Sequence, residues 1–397
     1  MTAEIRTVAA DEIRPWVKTM RTGLMANPGD ISEATMDFWR SVWQPERAFG
    51  AYDGGRCVGT LRTFPTSYTV PAGPGRTAEI SCDALTQVSV AATHRRQGLL
   101  RGMLTRSLAN AKDRGETVSL LRAAEWGIYG RFGYWPVSQV ADYTVSTAAG
   151  PALRTMPSGL TVVQVDPAEA LEPASALLRA ARLQEHGQID RPLPMWRRAL
   201  RLHNPAGAFE PVCLLARTSD GTAQGFLMWT GRDGDWYHDP LRQVEITVDE
   251  LIAVTPEAYA ALWHYLINID LVRTVKFAER AVDEPLPWLL TDGRAIRQTV
   301  AMDGDWMRIL DLPAAVQARR YAVADRLVLD IHDPDGGGYA AGRWVLDGGP
   351  EHAECRPSTA NPDLRLSQRA LSAIYLGGAS VRSQQVAGLI DEDTPGA

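Results

Sequence analysis

The feature that most constrains the fold is a strand, a basic turn with a glycine and a helix, which follow one another in the first third of the chain. Leu85–Val90 is predicted to be the strand. Apolar residues from Leu100 to Ala111 recur at the spacing i, i+3, i+4, i+8 and i+11, with the small Ser107 at i+7, which predicts an amphipathic helix. Gly115 stands where a helix C-cap is expected, and Thr117–Leu121 follows as a short apolar strand. This order of elements predicts an α/β fold in which the turn joins a strand to a helix.

The turn between that strand and that helix has the chemistry of an anion-binding site. The start of a helix presents unpaired N–H groups and about half a positive charge. Gly98 allows the backbone to approach a pyrophosphate closely, and Arg95 and Arg96 can add charge-assisted hydrogen bonds. A solvated surface turn is the alternative interpretation. The pattern GxxxxGK followed by Ser or Thr does not occur, and GxGxxG is missing from this turn, which excludes a P-loop and a dinucleotide fingerprint there.

The other predicted elements indicate further α/β segments. A hairpin turn at Asp53-Gly54-Gly55 joins the predicted strands Arg47–Tyr52 and Arg56–Phe64. Pro- and Gly-rich sequence between residues 148 and 159 indicates a boundary, and the middle third alternates again without a chemical motif. In the last third we predict strands at Asp305–Asp311, Arg326–His332 and Gly342–Leu346, terminal helices at Leu366–Leu376 and Val381–Leu389, and an acidic tail at Asp391-Glu392-Asp393.

Charge and composition exclude several classes of function. Lys plus Arg is 41 and Asp plus Glu is 47, and the net charge of −6 disfavours nucleic acid as a partner. The N-terminus lacks the apolar core of a signal peptide, and no apolar run approaches the ~18 residues of a membrane span. We therefore expect a cytoplasmic protein without a membrane partner. The cysteines form no CxxC pair, and HExxH and GxSxG are missing, which argues against a metal centre and a serine hydrolase.

The basic turn and its surroundings resemble a known family. Arg-Arg-Gln-Gly-Leu-Leu, from Arg95 to Leu100, resembles the pyrophosphate loop of the GNAT N-acetyltransferases, whose pattern is Arg/Gln-x-x-Gly-x-Gly/Ala. Arg95 and Gly98 match this pattern, whereas Leu100 departs from its last small residue. Val88-Ser89-Val90 before the loop and Ile128–Tyr134 after it narrow the resemblance to the Eis (enhanced intracellular survival) family. Similar segments also occur later in the chain, at Leu251–Tyr259, Pro285–Leu290 and Trp306–Ala315.

The resemblance implies a particular domain organisation. Members of the Eis family have two tandem GNAT domains followed by a sterol-carrier-protein-like domain, and they assemble as hexamers of two trimers. For this chain we therefore expect an α/β (α+β) fold with domains at residues 1–150, 151–292 and 293–397. The first domain is expected to bind acetyl-CoA and the second to lack the cofactor motif. A homo-oligomer is expected, a hexamer by resemblance.

The resemblance also implies the reaction and the residues that perform it. It predicts an N-acetyltransferase that needs no metal and moves the acetyl group of acetyl-CoA directly to a primary amine through a tetrahedral intermediate. Tyr129 matches the family's general-acid tyrosine, and with an ordinary pKa of ~10 it stays protonated at pH 7. A core aromatic residue is the alternative for Tyr129. The predicted cofactor contacts are Val88 and Val90 with the acetyl group and pantetheine, and Arg95, Arg96, Gly98 and the adjacent Leu99 with the pyrophosphate.

The base that removes a proton from the amine is left open. An alkyl amine resembles Lys, with a pKa of ~10.4, so it is charged at neutral pH and must lose a proton. Family members often use the terminal carboxylate of an aromatic residue, but this chain ends in Ala397, and we expect its unanchored tail to be solvated. Ala397, Glu125, a tail acid and bulk water remain as candidates. Ala124 stands where the family often has Ser, so one cofactor hydrogen bond is expected to be missing.

The acceptor is the least defined part of the prediction. By resemblance, Phe38 and Trp39 are predicted to wall its pocket, and Asp30 and Glu33 to attract a polyamine. Helix packing for the aromatic residues, and capping or solvation for the acids, are the alternatives. Aminoglycosides, other polyamines and lysine side chains are the implied acceptors. A dedicated biosynthetic acyltransferase and a non-catalytic acyl-CoA or lipid binding module are the competing functions.

Overall fold

The structure is a computed structural model that describes residues 3–27, 29–148, 150–202, 210–231, 244–333 and 337–396. In these residues the strands are β1 (Glu4–Thr7), β2 (Ala48–Asp53), β3 (Arg56–Pro71), β4 (Thr77–Val90), β5 (Val118–Arg122), β6 (Trp135–Pro136), β7 (Gln139–Ser146), β8 (Thr161–Val165), β9 (Val212–Arg217), β10 (Ala223–Gly231), β11 (Val244–Ala253), β12 (Val272–Arg280), β13 (Ile296–Asp303), β14 (Asp305–Ile309), β15 (Asp325–His332), β16 (Gly342–Gly348), β17 (Ala353–Pro357), β18 (Leu364–Ser367) and β19 (Ile390–Glu392). The α-helices are α1 (Ile13–Gly23), α2 (Glu33–Ser41), α3 (Leu99–Asp113), α4 (Trp126–Tyr129), α5 (Pro167–Arg182), α6 (Leu193–Ala199), α7 (Pro256–Ile267), α8 (Leu286–Leu289), α9 (Leu312–Ala318), α10 (Gln368–Ile374) and α11 (Val381–Val386).

The chain folds into two compact units. The first contains residues 1–138, 184–189 and 304–397, and the second contains residues 139–183 and 190–303. The first unit has a seven-stranded sheet in the order β1-β2-β3-β4-β5-β14-β6 and a five-stranded sheet in the order β17-β16-β15-β18-β19. The second unit has a seven-stranded sheet in the order β13-β7-β12-β11-β10-β9-β8.

Strand order departs from chain order in both large sheets. β14 comes late in the sequence, yet it lies between β5 and β6 in the first sheet, where Trp306 pairs with Leu121. β7 follows β6 directly in the sequence, yet it pairs with β12 and β13 in the second unit. The predicted strand at Asp305–Asp311 exists, but it completes the first sheet. The domain limits at residues 150 and 292 stay a prediction.

The elements around the basic turn form largely as their local sequence predicts. Gly54 and Gly55, with φ of 54° and 79°, close the hairpin between β2 and β3. The predicted strand Leu85–Val90 is the last part of the longer β4, which pairs antiparallel with β3. α3 buries Met103 and Leu104 against the strands, and Gly115 ends it with a φ of 77°. The local spacing of apolar and turn residues was therefore enough to predict the elements that position the turn.

The C-terminal elements are shorter than predicted and the tail is ordered. Leu366 belongs to β18, so α10 begins only at Gln368, where the side chain of Ser367 caps it by accepting from the amide of Ala370. β19 pairs antiparallel with β18 and buries Ile390, which is 3% exposed. Strand pairing and the buried isoleucine therefore anchor residues 390–392, whereas residues 391–396 are exposed, as expected for a solvated tail.

The second unit has its own core around α7. The side chain of Thr255 caps this helix by accepting a hydrogen bond from the amide of Ala258, at 3.2 Å. Trp263 of α7 is fully buried, and its ring centroid lies 4.9 Å from that of Phe277 in β12. Among the described residues, none of the helices has the length and apolar character needed to span a membrane.

Candidate active site

An opening beside β4 forms where this strand separates from β5. The two strands pair in parallel only from Cys82 with Val118 to Ala84 with Leu120. β4 then continues to Val90, where it is paired with β3 alone in the described chain. Among the described residues, the backbone groups of Leu85–Val90 that face away from β3 have no strand partner on that side, so they are available to a ligand. N–H groups aimed into such an opening can bind a carbonyl oxygen.

A bulge in β4 lies directly before its last residues, Val88–Val90. The register between β3 and β4 shifts between Thr60 and Arg62, and Gln87 has a φ of 51°. The hydroxyl of Thr60 fixes the bulge by donating to the carbonyl oxygen of Gln87, at 2.9 Å. Bulges of this kind redirect the residues that follow them. Val88 and Val90 are half-buried beyond the bulge and pack against the same cluster as α3.

The basic turn joins the end of β4 to α3. A 3₁₀ turn at Ala92–His94 opens it, and Arg96 and Gly98 both have a left-handed backbone, with φ of 64° and 80°. Gly98 is the N-cap of α3, and its carbonyl oxygen accepts the first helical hydrogen bond from the amide of Gly102, at 2.9 Å. Apart from its chain neighbours, a Cβ atom at Gly98 would meet no atom of the described residues within 4 Å. Space is therefore open in front of the helix N-terminus.

The residues of the turn fit a pyrophosphate. Arg95 and Arg96 are exposed, and neither forms an ion pair or hydrogen bond through its side chain in the part of the chain that is described. Two such guanidinium groups beside the N-terminus of α3 supply positive charge and donors. Leu99 is buried at 6% exposure, so its side chain packs in the core and only its backbone can contact a phosphate.

Hydrogen bonds to β3 and to the β2–β3 hairpin hold the basic turn in place, and the sequence did not predict these bonds. The Nε2 atom of His94 lies 3.2 Å from the Oδ2 atom of Asp53, and its Nδ1 atom lies 2.8 Å from the hydroxyl of Thr93. The amide of Ala91 donates to the carbonyl oxygen of Val58, at 2.8 Å. The sequence indicates Asp53 only as a residue of the hairpin turn. Its contact with His94, which lies 41 residues later, has no local signal.

Tyr129 ends α4, which follows β5. Its side chain is buried, at 8% exposure, in the cluster that also contains Leu99 and contacts Val88 and Val90. Its hydroxyl makes no hydrogen bond to the described residues. Burial, and to a lesser extent the charge of Glu125, raise the pKa of Tyr129 to about 12. The phenol is therefore protonated at neutral pH and is available as a donor.

The ring next to Tyr129 is fixed by a buried hydrogen bond. Tyr134 is fully buried, and its centroid lies 6.2 Å from that of Tyr129 in an edge-to-face arrangement. The hydroxyl oxygens of Tyr134 and Ser119 are 2.7 Å apart. The sequence shows these tyrosines close together but does not distinguish their roles. In the structure the hydroxyl of Tyr134 has a hydrogen-bond partner, Ser119, whereas the hydroxyl of Tyr129 has none among the described residues.

The four residues predicted for the acceptor lie in and before α2. Phe38 and Trp39 are buried, at 6% and 3% exposure, in a separate cluster around Trp16. Glu33 is exposed and forms an ion pair with Arg40, at 3.2 Å, and another with Arg14. Asp30 is exposed. In this structure the two aromatic residues pack in the core, and their predicted part in the acceptor pocket stays a prediction.

Arg62 connects this cluster to the bulge of β4. Its guanidinium carbon lies 5.7 Å from the ring centroid of Trp39. Its Nε atom donates to the side chain of Gln87, at 3.0 Å, and its Nη1 atom donates to the carbonyl oxygen of Val42, at 2.9 Å. Arg62 therefore contacts both Trp39 and the bulge residue Gln87.

The candidate bases differ in their surroundings. Glu125 is exposed at the N-cap of α4 and is close enough to affect the pKa of Tyr129. Asp393 in the tail is paired with Arg365, at 2.7 Å. The hydroxyl of Thr394 donates to Asp363, also at 2.7 Å. Ala397 lies outside the described residues.

Two buried acids, Asp83 of β4 and Glu116 before β5, are paired with arginines. The carboxylate of Asp83 is 1% exposed and lies 2.5 Å from Arg47, which also contacts Glu116, at 2.5 Å. Burial and the charge of Glu116 raise the pKa of Asp83 to about 7. Arg114 joins the same cluster. Within the described ranges, no group of three or more His, Cys, Asp or Glu side chains is arranged to hold a metal ion.

Comparisons with known proteins match this architecture. Residues 4–137 and 187–309 match two family models described as Acetyltransferase (GNAT) domain, and residues 312–397 match one described as Sterol carrier protein domain. This confirms the predicted order of two GNAT domains and a sterol-carrier-like domain.

Relatives match over most of the chain. An uncharacterized N-acetyltransferase of Streptomyces avermitilis is 35% identical over 99% of this chain and 94% of that protein. The N-acetyltransferase Eis of Mycobacterium tuberculosis is 33% identical over 85% of this chain and 81% of that protein. The crystal structure of Eis1 from Mycobacterium abscessus has a TM-score of 0.84 and 28% identity, over 99% of this chain and 94% of Eis1.

Proposed function

Because the chain belongs to the Eis family of GNAT N-acetyltransferases, we propose that it transfers the acetyl group of acetyl-CoA to a primary amine. The acceptor class we propose is an aminoglycoside-like, polyamine-like or lysine-like amine. One observation carries the proposal: the hydroxyl of Tyr129, without a partner in the described residues, lies in the same cluster as the end of β4 and the start of α3.

In this proposal the opening beside β4 and the basic turn hold acetyl-CoA. Backbone groups of Val88 and Val90 bind the acetyl and pantetheine part, because no strand within the described ranges pairs with β4 there on the side away from β3. Arg95 and Arg96 bind the pyrophosphate at the N-terminus of α3, and the open space at Gly98 lets it approach the backbone. The thioester supplies the activated acetyl group for direct transfer through a tetrahedral intermediate.

Tyr129 acts on the departing sulfur. The thiol of CoA should resemble that of Cys, with a pKa of ~8.5. Since the pKa of Tyr129 is raised to about 12, complete proton transfer from the phenol to the thiolate is uphill. The tyrosine therefore contributes mainly by donating a hydrogen bond as charge develops on the sulfur, and the thiolate takes its proton from solvent later. This limited general-acid role requires the ring to be placed accurately.

Glu125 is the base that we favour. Its side chain is exposed, and its charge contributes to the raised pKa of Tyr129. Asp393, by contrast, forms an ion pair with Arg365. A carboxylate at this place attracts the ammonium form of the acceptor and can accept its proton through water. Glu125→Gln is expected to raise the KM of a cationic amine and to lower kcat, with no change in the KM of acetyl-CoA. A C-terminal carboxylate at Ala397 is the alternative, and an amidated C-terminus, which removes that charge, distinguishes the two.

The test of the proposed function is release of CoA in the presence of a panel of amines, with Tyr129→Phe as the main variant. Loss of one hydrogen-bond donor to charge that develops in the transition state costs about 10²- to 10³-fold, so kcat should fall by that order while acetyl-CoA still binds. Tyr321→Phe is the matched control: burial also raises its pKa to about 12, but its hydroxyl donates to Val316 in a different cluster. Equal turnover by wild type and Tyr129→Phe refutes the acid role.

The same panel separates catalysis from binding alone. If acetyl-CoA binds to the wild-type protein and no amine promotes release of CoA, the chain is a binding module and the proposed reaction is wrong. We also extend the family's hexamer to this chain. Sedimentation of the full-length protein at about six times the mass of one chain supports that part, and a monomer contradicts it.

A further inference from the structure

The turn that follows Tyr129 is held by a residue outside the catalytic motif. Arg308, in the middle of β14, is 0% exposed, and its Nη1 atom donates to the carbonyl oxygen of Phe132. Phe132 lies three residues after Tyr129, at the end of the 3₁₀ turn Gly130–Phe132 that continues α4. An arginine from β14 therefore grips the loop on which Tyr129 stands.

The loop is shaped to receive this guanidinium group. Gly133 has a φ of 78°, and a Cβ atom built on it would overlap the Nη1 atom of Arg308. Both the backbone conformation and the lack of a side chain are needed for the close approach. The glycine in the sequence Phe132-Gly133-Tyr134 is thus explained by Arg308 rather than by the turn alone.

Arg308 is in turn held by the C-terminal part of the first unit. Its Nη2 atom lies 2.7 Å from the Oδ2 atom of Asp333, and both side chains are fully buried. Asp333 directly follows β15, and Tyr339 lies farther along the same connection, with its ring centroid 5.1 Å from the guanidinium carbon. A buried arginine without its partner is strongly destabilised, so Arg308 keeps its place only while Asp333 is present.

Short contacts transmit the position of this loop to Tyr129. The amide of Gly133 donates to the carbonyl oxygen of Gly130, at 3.0 Å. The amide of Tyr134 donates to the carbonyl oxygen of Tyr129, at 3.4 Å. The ring of Tyr134 packs edge-to-face on Tyr129. A shift of the carbonyl group of Phe132 must therefore move the phenol. Misplacement by about 1 Å can cost 100-fold in rate.

We propose that Arg308 is a positioning residue for acetyl transfer, held by Asp333 of the sterol-carrier-like segment, and that this pair sets the place of the Tyr129 phenol. The inference rests on the proposed role of Tyr129. It gives the C-terminal segment a part in the reaction, because one of its carboxylates fixes the loop of the donor tyrosine. Arg308 itself touches neither the thioester nor the amine in this proposal.

A double-mutant cycle with Tyr129 tests the inference. Arg308→Met should lower kcat about 10- to 100-fold and leave the KM of acetyl-CoA within about 2-fold, because the pyrophosphate turn is untouched. In the Tyr129→Phe background, Arg308→Met should lower kcat less than about 3-fold further, since the hydroxyl that it positions is already missing. Equal losses in both backgrounds overturn the positioning role.

The outcomes separate this inference from the proposed function. If Tyr129→Phe alone retains full kcat, the acid role fails, and the positioning role fails with it. If Tyr129→Phe lowers kcat and Arg308→Met acts equally in both backgrounds, only the positioning role fails. Arg308→Met by itself with the kcat of wild type also overturns it.

A second variant guards against misfolding of Arg308→Met. Arg308→Lys keeps a positive charge for Asp333 but cannot bond both Asp333 and Phe132 with a planar fork. It should fold, and its kcat should lie between those of wild type and Tyr129→Phe. Arg47→Lys is the matched control, because Arg47 is also buried between carboxylates but does not contact this loop. The control should lower the melting temperature and keep kcat; a loss of kcat as large as that of Arg308→Lys contradicts the inference.

Discussion

Gly98 and Gly115 lie at the two ends of α3, and comparing them distinguishes an effect on acetyl-CoA binding from an effect of backbone strain. Gly98 and Gly115 have nearly the same φ, 80° and 77°, and a Cβ atom at either would meet no atom within 4 Å in the part of the chain that the structure describes, chain neighbours aside. Alanine at a left-handed position costs roughly 1–2 kcal/mol, offset in part by about 0.4–1 kcal/mol from the restricted unfolded chain. Gly98→Ala and Gly115→Ala should therefore each lower the free energy of unfolding by about 1 kcal/mol.

Only one of these variants should affect acetyl-CoA. A methyl group at Gly98 fills the space through which the pyrophosphate approaches the start of α3. Loss of one hydrogen bond to a charged group costs about 1.5–3 kcal/mol, which corresponds to roughly a 10- to 150-fold increase in the dissociation constant. Gly115 lies at the opposite end of the helix, so Gly115→Ala should leave that constant unchanged.

The assay combines urea unfolding with calorimetric titration of acetyl-CoA into both variants. Equal losses of stability and a selective loss of binding by Gly98→Ala are expected. If the two variants bind acetyl-CoA equally well, the pyrophosphate does not approach Gly98 and the reasoning fails. If Gly98→Ala loses far more stability than Gly115→Ala, strain and not the cofactor explains the glycine.

Three further predictions concern charges and the tail. Arg95→Ala combined with Arg96→Ala should raise the KM of acetyl-CoA about 10- to 100-fold in CoA-release kinetics, since two charged donors are lost; an unchanged KM rejects the turn as the binding site. Burial raises the pKa of Asp83 to about 7, above its unfolded value of ~3.9, so the stability that its protonated form contributes is complete below about pH 4 and is lost as the pH rises through 7. Asp83→Asn should flatten this fall in urea unfolding between pH 4 and pH 8, and an unaltered slope argues against it. Thr394→Val should raise the pKa of Asp363, which the threonine hydroxyl lowers, and should speed hydrogen exchange in β19; unchanged exchange contradicts the anchoring of the tail.

Local patterns in the sequence predicted the elements that carry the site. The period of the apolar residues in α3, the hairpin glycines and the basic turn each depend on neighbours within a few residues, and each is found in the structure. Family resemblance added the order of the domains, which the family models confirm. It also singled out Tyr129, whose catalytic role stays a prediction.

Long-range pairing was beyond the reach of these patterns. Nothing near Trp306 indicates that it pairs with Leu121 in the first sheet, since both read as ordinary strand residues. For the same reason Arg308 carried no signal: a charged residue in a strand is expected to face solvent, and only the folded chain supplies Asp333. The anchoring of residues 390–392 was not predicted, because it depends on one buried residue, Ile390, and on pairing with β18, and neither has a local signal in the sequence.

The position of β14 has a consequence for synthesis on the ribosome. β5 emerges early, but its neighbour β14 becomes available only after Ile309 has left the exit tunnel. At about 5–20 residues per second, the nascent sheet waits roughly 10 to 40 s with one strand edge unsatisfied. An open edge of that kind invites pairing with other chains. Fragments that stop before residue 305 should therefore aggregate or recruit chaperones, however complete their cofactor turn is.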